Sequence, residues 1–222
     1  MSTAGIMECK QGVFSRIFPS ACTLVATRTA RFIPRRHIIC CMADINIQNL
    51  VASTTIADSL DLDKIAKSVP NTNYRPHVFP GLVLRIAQPK TAFLLFGSGK
   101  VVCTGAKTID DITKSMTIVC NMLRDAGFTM AAAPKITVQN IVASGDLHGR
   151  LNLVSTALAV GLENTEYEPE IFPGIVYRME EFGVVMLLFS SGKIVCTGAR
   201  KIEQVYQAVE YLQQKLEAKG LL

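Results

Sequence analysis

FPGLVLRIAQPKTAFLLFGSGKVVCTGA, residues 79–106, and FPGIVYRMEEFGVVMLLFSSGKIVCTGA, residues 172–199, are two versions of one stretch. They align without a gap, and between 77–108 and 170–201 16 of 32 positions are identical. A second block, QNLVAS from Gln48, recurs as QNIVAS from Gln139. The chain is therefore one unit used twice, 43–133 and 134–222, with an approximate two-fold axis between the copies.

Each unit reads alike. A short strand (45–53; 136–144) leads to a helical stretch (about 60–68; about 153–160). Strands rich in Val, Leu and Phe follow, separated by PG and SGK turns. An amphipathic helix closes the unit. Its stripe is Ile109, Ile112, Met116, Val119, Cys120 and Leu123 in the first copy, and Ile202, Val205, Val209, Leu212 and Leu216 in the second. Thr108 is placed to cap the first of these helices, with Asp111 three residues on. The pattern predicts an α+β fold: an antiparallel sheet with helices on one face.

A half-exposed strand should alternate apolar and polar residues. Residues 92–96 (AFLLF) and 184–189 (VVMLLF) are apolar throughout. One face is accounted for by the helices; the other needs a partner. Parity assigns to it Leu94, Phe96, Val102, Thr104, Asn49 and Val51, and in the second copy Leu187, Phe189, Val195, Thr197, Asn140 and Val142. Lys100 and Lys193 share that parity and would rim it. The surface is apolar, with a few amide and hydroxyl groups and no carboxylates. A sandwich core or a dimer interface would give the same pattern.

Duplex DNA has two-fold character, and its minor groove offers mainly acceptors, adenine N3 and thymine O2, to which guanine adds an amino donor. A flat apolar face with Asn and Thr donors suits A·T pairs and gives the guanine amino group no acceptor. Phe residues at its edges could wedge between base steps. Arg85, Lys90, Lys100, Lys107, Arg178, Lys193, Arg200 and Lys201 would reach flanking phosphates.

The doubled FPG, LLFxSGKxVCTGA and QN[LI]VAS blocks resemble the TATA-binding protein family of general transcription initiation factors. The resemblance covers 43–222 and looks closest to the archaeal branch. It implies a saddle of ten antiparallel strands with four helices on the convex side. It implies that Phe79, Phe96, Phe172 and Phe189 intercalate, with Pro80 and Pro173 beside the first Phe of each pair. Asn49, Asn140, Thr104 and Thr197 would donate to bases, while Val51, Val102, Val142, Val195, Leu94 and Leu187 would pack on the groove floor. Glu168 and Glu170 match the loop offered to transcription factor B. The implied partners are promoter DNA, transcription factor B and the RNA polymerase machinery, with a homodimer when DNA is absent. The implied location is the cytoplasm of an archaeon, at the nucleoid, or the nucleus of a eukaryote. The chain departs from the family pattern at Glu180, Glu181, Phe182 and Gly183, where the first copy keeps Pro89 and Lys90. Two acids there would repel phosphate. A diverged scaffold that binds protein through the same saddle is the competing reading, which the intact Asn, Thr and Phe positions disfavour.

Composition bounds the rest. The net charge of +5 comes entirely from residues 1–41; the remaining residues balance to zero. That segment is basic and acid-poor. It reads as an extension outside the core, either a transit peptide or, preferably, sequence upstream of a start at Met42. No apolar run reaches the roughly 18 residues of a membrane span. Cys103 and Cys196 are equivalent across the repeat and read as core thiols, and Phe93 and Phe182 as packing or turn residues. With three histidines and no CxxC pair, no zinc site is expected. Gly97-Ser98-Gly99-Lys100 lacks phosphate-loop spacing and reads as a hairpin turn. No catalytic arrangement recurs in both copies, so neither enzyme activity nor a cofactor is expected.

Overall fold

Strand and helix alternate in this chain because its apolar period switches between two and 3.6. The computed structural model describes residues 43–131 and 134–222. The readings of residues 1–41, and the exact boundary between the copies at 133, fall outside the described residues. The first copy runs β1 (Asp44–Thr55), α1 (Leu62–Ser68), β2 (Thr72–Asn73), β3 (Leu82–Ile86), β4 (Thr91–Leu95), β5 (Lys100–Ala106) and α2 (Ile109–Asp125). The second runs β6 (Thr137–Asp146), α3 (Leu153–Val160), β7 (Thr165–Glu166), β8 (Gly174–Met179), β9 (Val184–Phe189), β10 (Lys193–Ala199) and α4 (Ile202–Glu217). Short 3-10 turns occupy Leu162–Asn164 and Glu180–Phe182.

All ten strands form one open antiparallel sheet, ordered β2-β3-β4-β5-β1-β6-β10-β9-β8-β7. The order is a palindrome under exchange of the copies. The pseudo-dyad therefore runs between β1 and β6, where Leu50 faces Ile141 across the ladder. Register shifts interrupt β1 at Ile47/Asn49 and Val51/Ala52, and β10 at Cys196/Ala199. Such bulges bend and twist a strand, which curves the sheet into the saddle.

The helices lie on one side. α2 packs on β5, α4 on β9 and β10, and α3 on α4 and β8. Between them and the sheet lie Leu50, Leu82, Leu84, Phe93, Leu95, Val101 and Cys103 from the first copy and Ile141, Ile175, Met186, Leu188, Ile194 and Cys196 from the second, all essentially inaccessible. Burial pushes the Cys103 and Cys196 thiols up to about 11. Thr108 caps α2 in a reciprocal box. Its hydroxyl accepts from Asp111 N–H at 3.0 Å, and the Asp111 carboxylate accepts from Thr108 N–H at 3.1 Å. The α2 stripe is buried as expected except for Ile109, which is 53% exposed. As the first helical residue it stands on the outer side of the opening turn.

Candidate nucleic-acid interface

The opposite face of the sheet carries no helix. Its residues are only half-buried, and their parity is the expected one: Asn49, Val51, Leu94, Phe96, Val102 and Thr104, with Asn140, Val142, Leu187, Phe189, Val195 and Thr197. At the centre Asn49 stands opposite Val142, and Val51 opposite Asn140. Outward from there, Val102 pairs with Leu94 and Leu94 with Val83; Val195 pairs with Leu187 and Leu187 with Val176.

Each central Asn is held by its own copy. Gly105 N–H donates to Asn49 Oδ1 at 2.7 Å, and Gly198 N–H to Asn140 Oδ1 at 2.8 Å. The TG step makes this possible, because Gly105 and Gly198 have φ of 94° and 101°, a region other residues rarely enter. Asn49 Nδ2 lies 3.2 Å from Thr104 Oγ1, and Asn140 Nδ2 3.3 Å from Thr197 Oγ1. With Oδ1 committed to a backbone N–H, the amide orientation is fixed. The bare face therefore presents NH2 and OH groups at its centre.

At each end of the face a Phe pair meets edge to face: Phe79 and Phe96 at 5.9 Å between centroids, Phe172 and Phe189 at 5.8 Å. The glycine of each FPG lies directly beneath. A Cβ on Gly81 would come within 2.6 Å of the Phe79 ring, and one on Gly174 within 2.9 Å of the Phe172 ring. Pro80 and Pro173 are exposed beside these pairs.

The basic residues divide. Arg85 and Lys90 share a cleft of about 970 Å³ with Asn49 and Thr104. Lys107 Nζ is 3.5 Å from Gln48 Oε1. Lys100, Lys193, Arg200 and Lys201 are exposed. Arg178, the second-copy counterpart of Arg85, is instead ion-paired to Glu166 at 2.9 Å. Glu180 and Glu181 sit in the adjoining 3-10 turn, whose Phe182 ring packs at a tilt against Tyr211, 5.4 Å between centroids. The expectation of a face without carboxylates needs one correction. Asp44 and Asp146 are cross-strand partners at the β1–β6 end and share a cleft with Phe189 and Lys193. The strands run further than their apolar cores and carry these acids onto the face. Glu168 and Glu170 project from the loop before Phe172, where Glu168 C=O accepts from Ile171 and Phe172 N–H, both at 2.9 Å.

Two symmetric contacts were not foreseen. Gln48 Nε2 donates to Ser144 Oγ at 2.7 Å, and Gln139 Nε2 to Ser53 Oγ at 2.8 Å. Each clamps one copy to the other across the dyad. The first Gln and last Ser of both QN[LI]VAS blocks were the available signal.

Among the described residues no group of His, Cys, Asp and Glu is arranged to hold a metal, and no helix is long and apolar enough to cross a membrane.

The model of the family described as transcription factor TFIID, or TATA-binding protein, matches residues 44–126 and again 135–218. The TATA-box-binding protein of Picrophilus torridus is 51% identical over 181 residues, 82% of this chain and 98% of that one. TATA-box-binding protein 2 of Haloferax volcanii is 51% identical over 178 residues, 80% of this chain and 96% of its own. The solved structure of Methanococcus jannaschii TBP superposes with a TM-score of 0.74 at 43% identity, covering 79% of this chain and 99% of that one. A family model met once per repeat, archaeal relatives matched almost end to end and a shared fold carry one conclusion: the chain belongs to the TATA-binding protein family, a family of transcription factors and not of enzymes.

Proposed function

We propose that the chain is a general initiation factor that lays its bare sheet face into the minor groove of A·T-rich promoter DNA and kinks the duplex at both ends. The observation that carries this reading is the doubled Asn–Thr–Gly cluster at the centre of the face. Both carboxamide oxygens already accept backbone N–H groups, so the cluster offers donors to adenine N3 and thymine O2. It leaves the guanine amino group without a free carboxamide acceptor. Val51, Val142, Val102, Val195, Leu94 and Leu187 exclude water along the groove floor. Phe79 with Phe96, and Phe172 with Phe189, wedge into base steps at the two ends, the minor-groove device that TATA-binding proteins exemplify. Pro80 and Pro173 back these wedges.

Phosphate contacts are unequal in this reading. Arg85, Lys90 and Lys100 serve the first end freely, and Lys107 joins them from its contact with Gln48. At the second end Lys193, Arg200 and Lys201 act beside Asp44, Asp146, Glu180 and Glu181, and Arg178 must first release Glu166. The stiffened loop bearing Glu168 and Glu170 offers transcription factor B an acidic contact, and through it the RNA polymerase machinery is recruited.

The test is DNA bending followed by energy transfer between the ends of a labelled duplex carrying a TATA-like element. End-to-end shortening is expected only with the A·T element, and is expected to vanish in the Phe96→Ala/Phe189→Ala double variant. Absence of bending at low and high salt alike overturns the reading in favour of a protein-binding scaffold.

A further inference from the structure

The two copies differ on their outer surface in a way DNA binding does not require. α1 and α3 start on equivalent caps: Asp61 accepts from Lys64 N–H and Asn152 from Ser155 N–H. Both bury their first residue, Leu62 and Leu153. The outward positions one turn apart are Asp63 and Lys67 on α1. On α3 they are Val154 and Leu158, 60% and 65% exposed. Just beyond the helix the second copy is two residues longer, and its added 3-10 turn carries Leu162, 63% exposed. The same place in the same fold is polar in one copy and apolar in the other, so folding does not demand the apolar version. Clustered apolar side chains left in water mark an interaction surface.

Charge says what covers it. α3 carries no charged residue. At its C-terminal end Val160 borders a cavity of about 290 Å³ whose charged lining is Glu163, Glu180 and Glu181 against Lys215 and Arg178, the last already paired to Glu166. None of the three glutamates is ion-paired among the described residues. Here the Lys215 ammonium already lies 5.5 Å and 5.7 Å from the Tyr177 and Tyr211 ring centres, so the cavity wall accepts a cation against aromatic faces. We propose that the exposed α3 face docks an amphipathic helix of a protein partner, apolar along Val154, Leu158 and Leu162 and basic where it meets Glu163, Glu180 and Glu181. A second copy of the chain is the poorer occupant, because three side chains fall far short of the roughly 800 Å² each partner of a stable complex buries.

The test uses the full-length chain and a panel of labelled amphipathic helical peptides with Lys and Arg at one end, read by fluorescence anisotropy. Matched peptides with Glu in place of each Lys and Arg serve as controls. Val154→Asp/Leu158→Lys copies the residues the first repeat carries at these positions, and its folding is checked by thermal unfolding. The basic peptides are expected to bind, to weaken at least about tenfold in that variant, and to lose their salt dependence in Glu163→Gln/Glu180→Gln/Glu181→Gln. DNA bending is expected to persist in Val154→Asp/Leu158→Lys, which separates failure here from failure of the DNA reading. No binding by any basic peptide, equal binding of the acidic peptides, or unchanged affinity in Val154→Asp/Leu158→Lys overturns the proposal. So does self-association that this variant abolishes, which would make a second copy the occupant.

Discussion

Replacing Asn49 by Asp changes one NH2 group to an oxygen and leaves the shape of the side chain intact. The retained oxygen still accepts from Gly105 N–H, now as an ion, and the 2.7 Å contact strengthens. Thr104 Oγ1, which faces Nδ2 at 3.2 Å, can turn its proton toward the new oxygen. The fold therefore loses nothing. DNA binding, as proposed, loses a donor and gains a charge aimed at adenine N3 or thymine O2. A base contact is worth about 1–3 kcal/mol, and an unpaired charged group left at a dry interface adds about 1–3 kcal/mol. Because the two terms overlap, the cost is about 2–4 kcal/mol, or roughly 30- to 700-fold in affinity. Asn140→Asp should match it through the pseudo-dyad. The assay is fluorescence anisotropy on a TATA-like duplex, with thermal unfolding in parallel. Affinity within threefold of the parent at unchanged stability would refute the assignment of these amides to base contact. A collapse in stability would refute the account of Gly105 as the carboxamide's anchor.

Glu180→Gln/Glu181→Lys should tighten DNA binding and steepen the dependence of log affinity on log salt by roughly one, the signature of about one added phosphate contact; an unchanged slope would place these acids away from phosphate. Gly174→Ala should lower stability by about 1–3 kcal/mol, since its Cβ meets Leu188 C=O at 2.8 Å and that backbone cannot swing aside. Gly81→Ala, whose nearest neighbour is the Phe79 ring at 2.6 Å, should cost less stability but displace the Phe pair, and paired thermal unfolding and bending assays read both. Cys103 and Cys196, held protonated by burial to about 11, should resist alkylation at pH 8 until the chain unfolds, as read by mass spectrometry. Their folded values are raised, so the linked stability is complete below the ordinary thiol range and is lost as pH climbs through it toward 11. A urea midpoint that rises over that alkaline window would contradict this.

The main architecture was legible because the repeat fixes two equivalent units and parity sorts each strand. Phe93, Cys103 and Cys196 lie on the helix side, and Asn49, Val51, Thr104 and Phe96 on the bare side. What stayed hidden depends on register across bulges and on very short strands. The Gln48–Ser144 clamp forms where β1 slips relative to β6 between Ile47 and Asn49, and the Gln139–Ser53 clamp at the second slip, between Val51 and Ala52. The Arg178–Glu166 pair requires β7, two residues with no periodicity to read. Asp44 and Asp146 reach the face because their strands extend beyond the apolar run that marks them in sequence.

The sheet is open, and its edges are β2 and β7, each two residues long. A long apolar edge is a template on which further chains add strand by strand into fibres. Two residues supply too few free N–H and C=O groups to seat an incoming strand. The molecule can thus carry a broad water-shy face without seeding its own aggregation, because the hazard of growth at the rim is removed where the strands stop short.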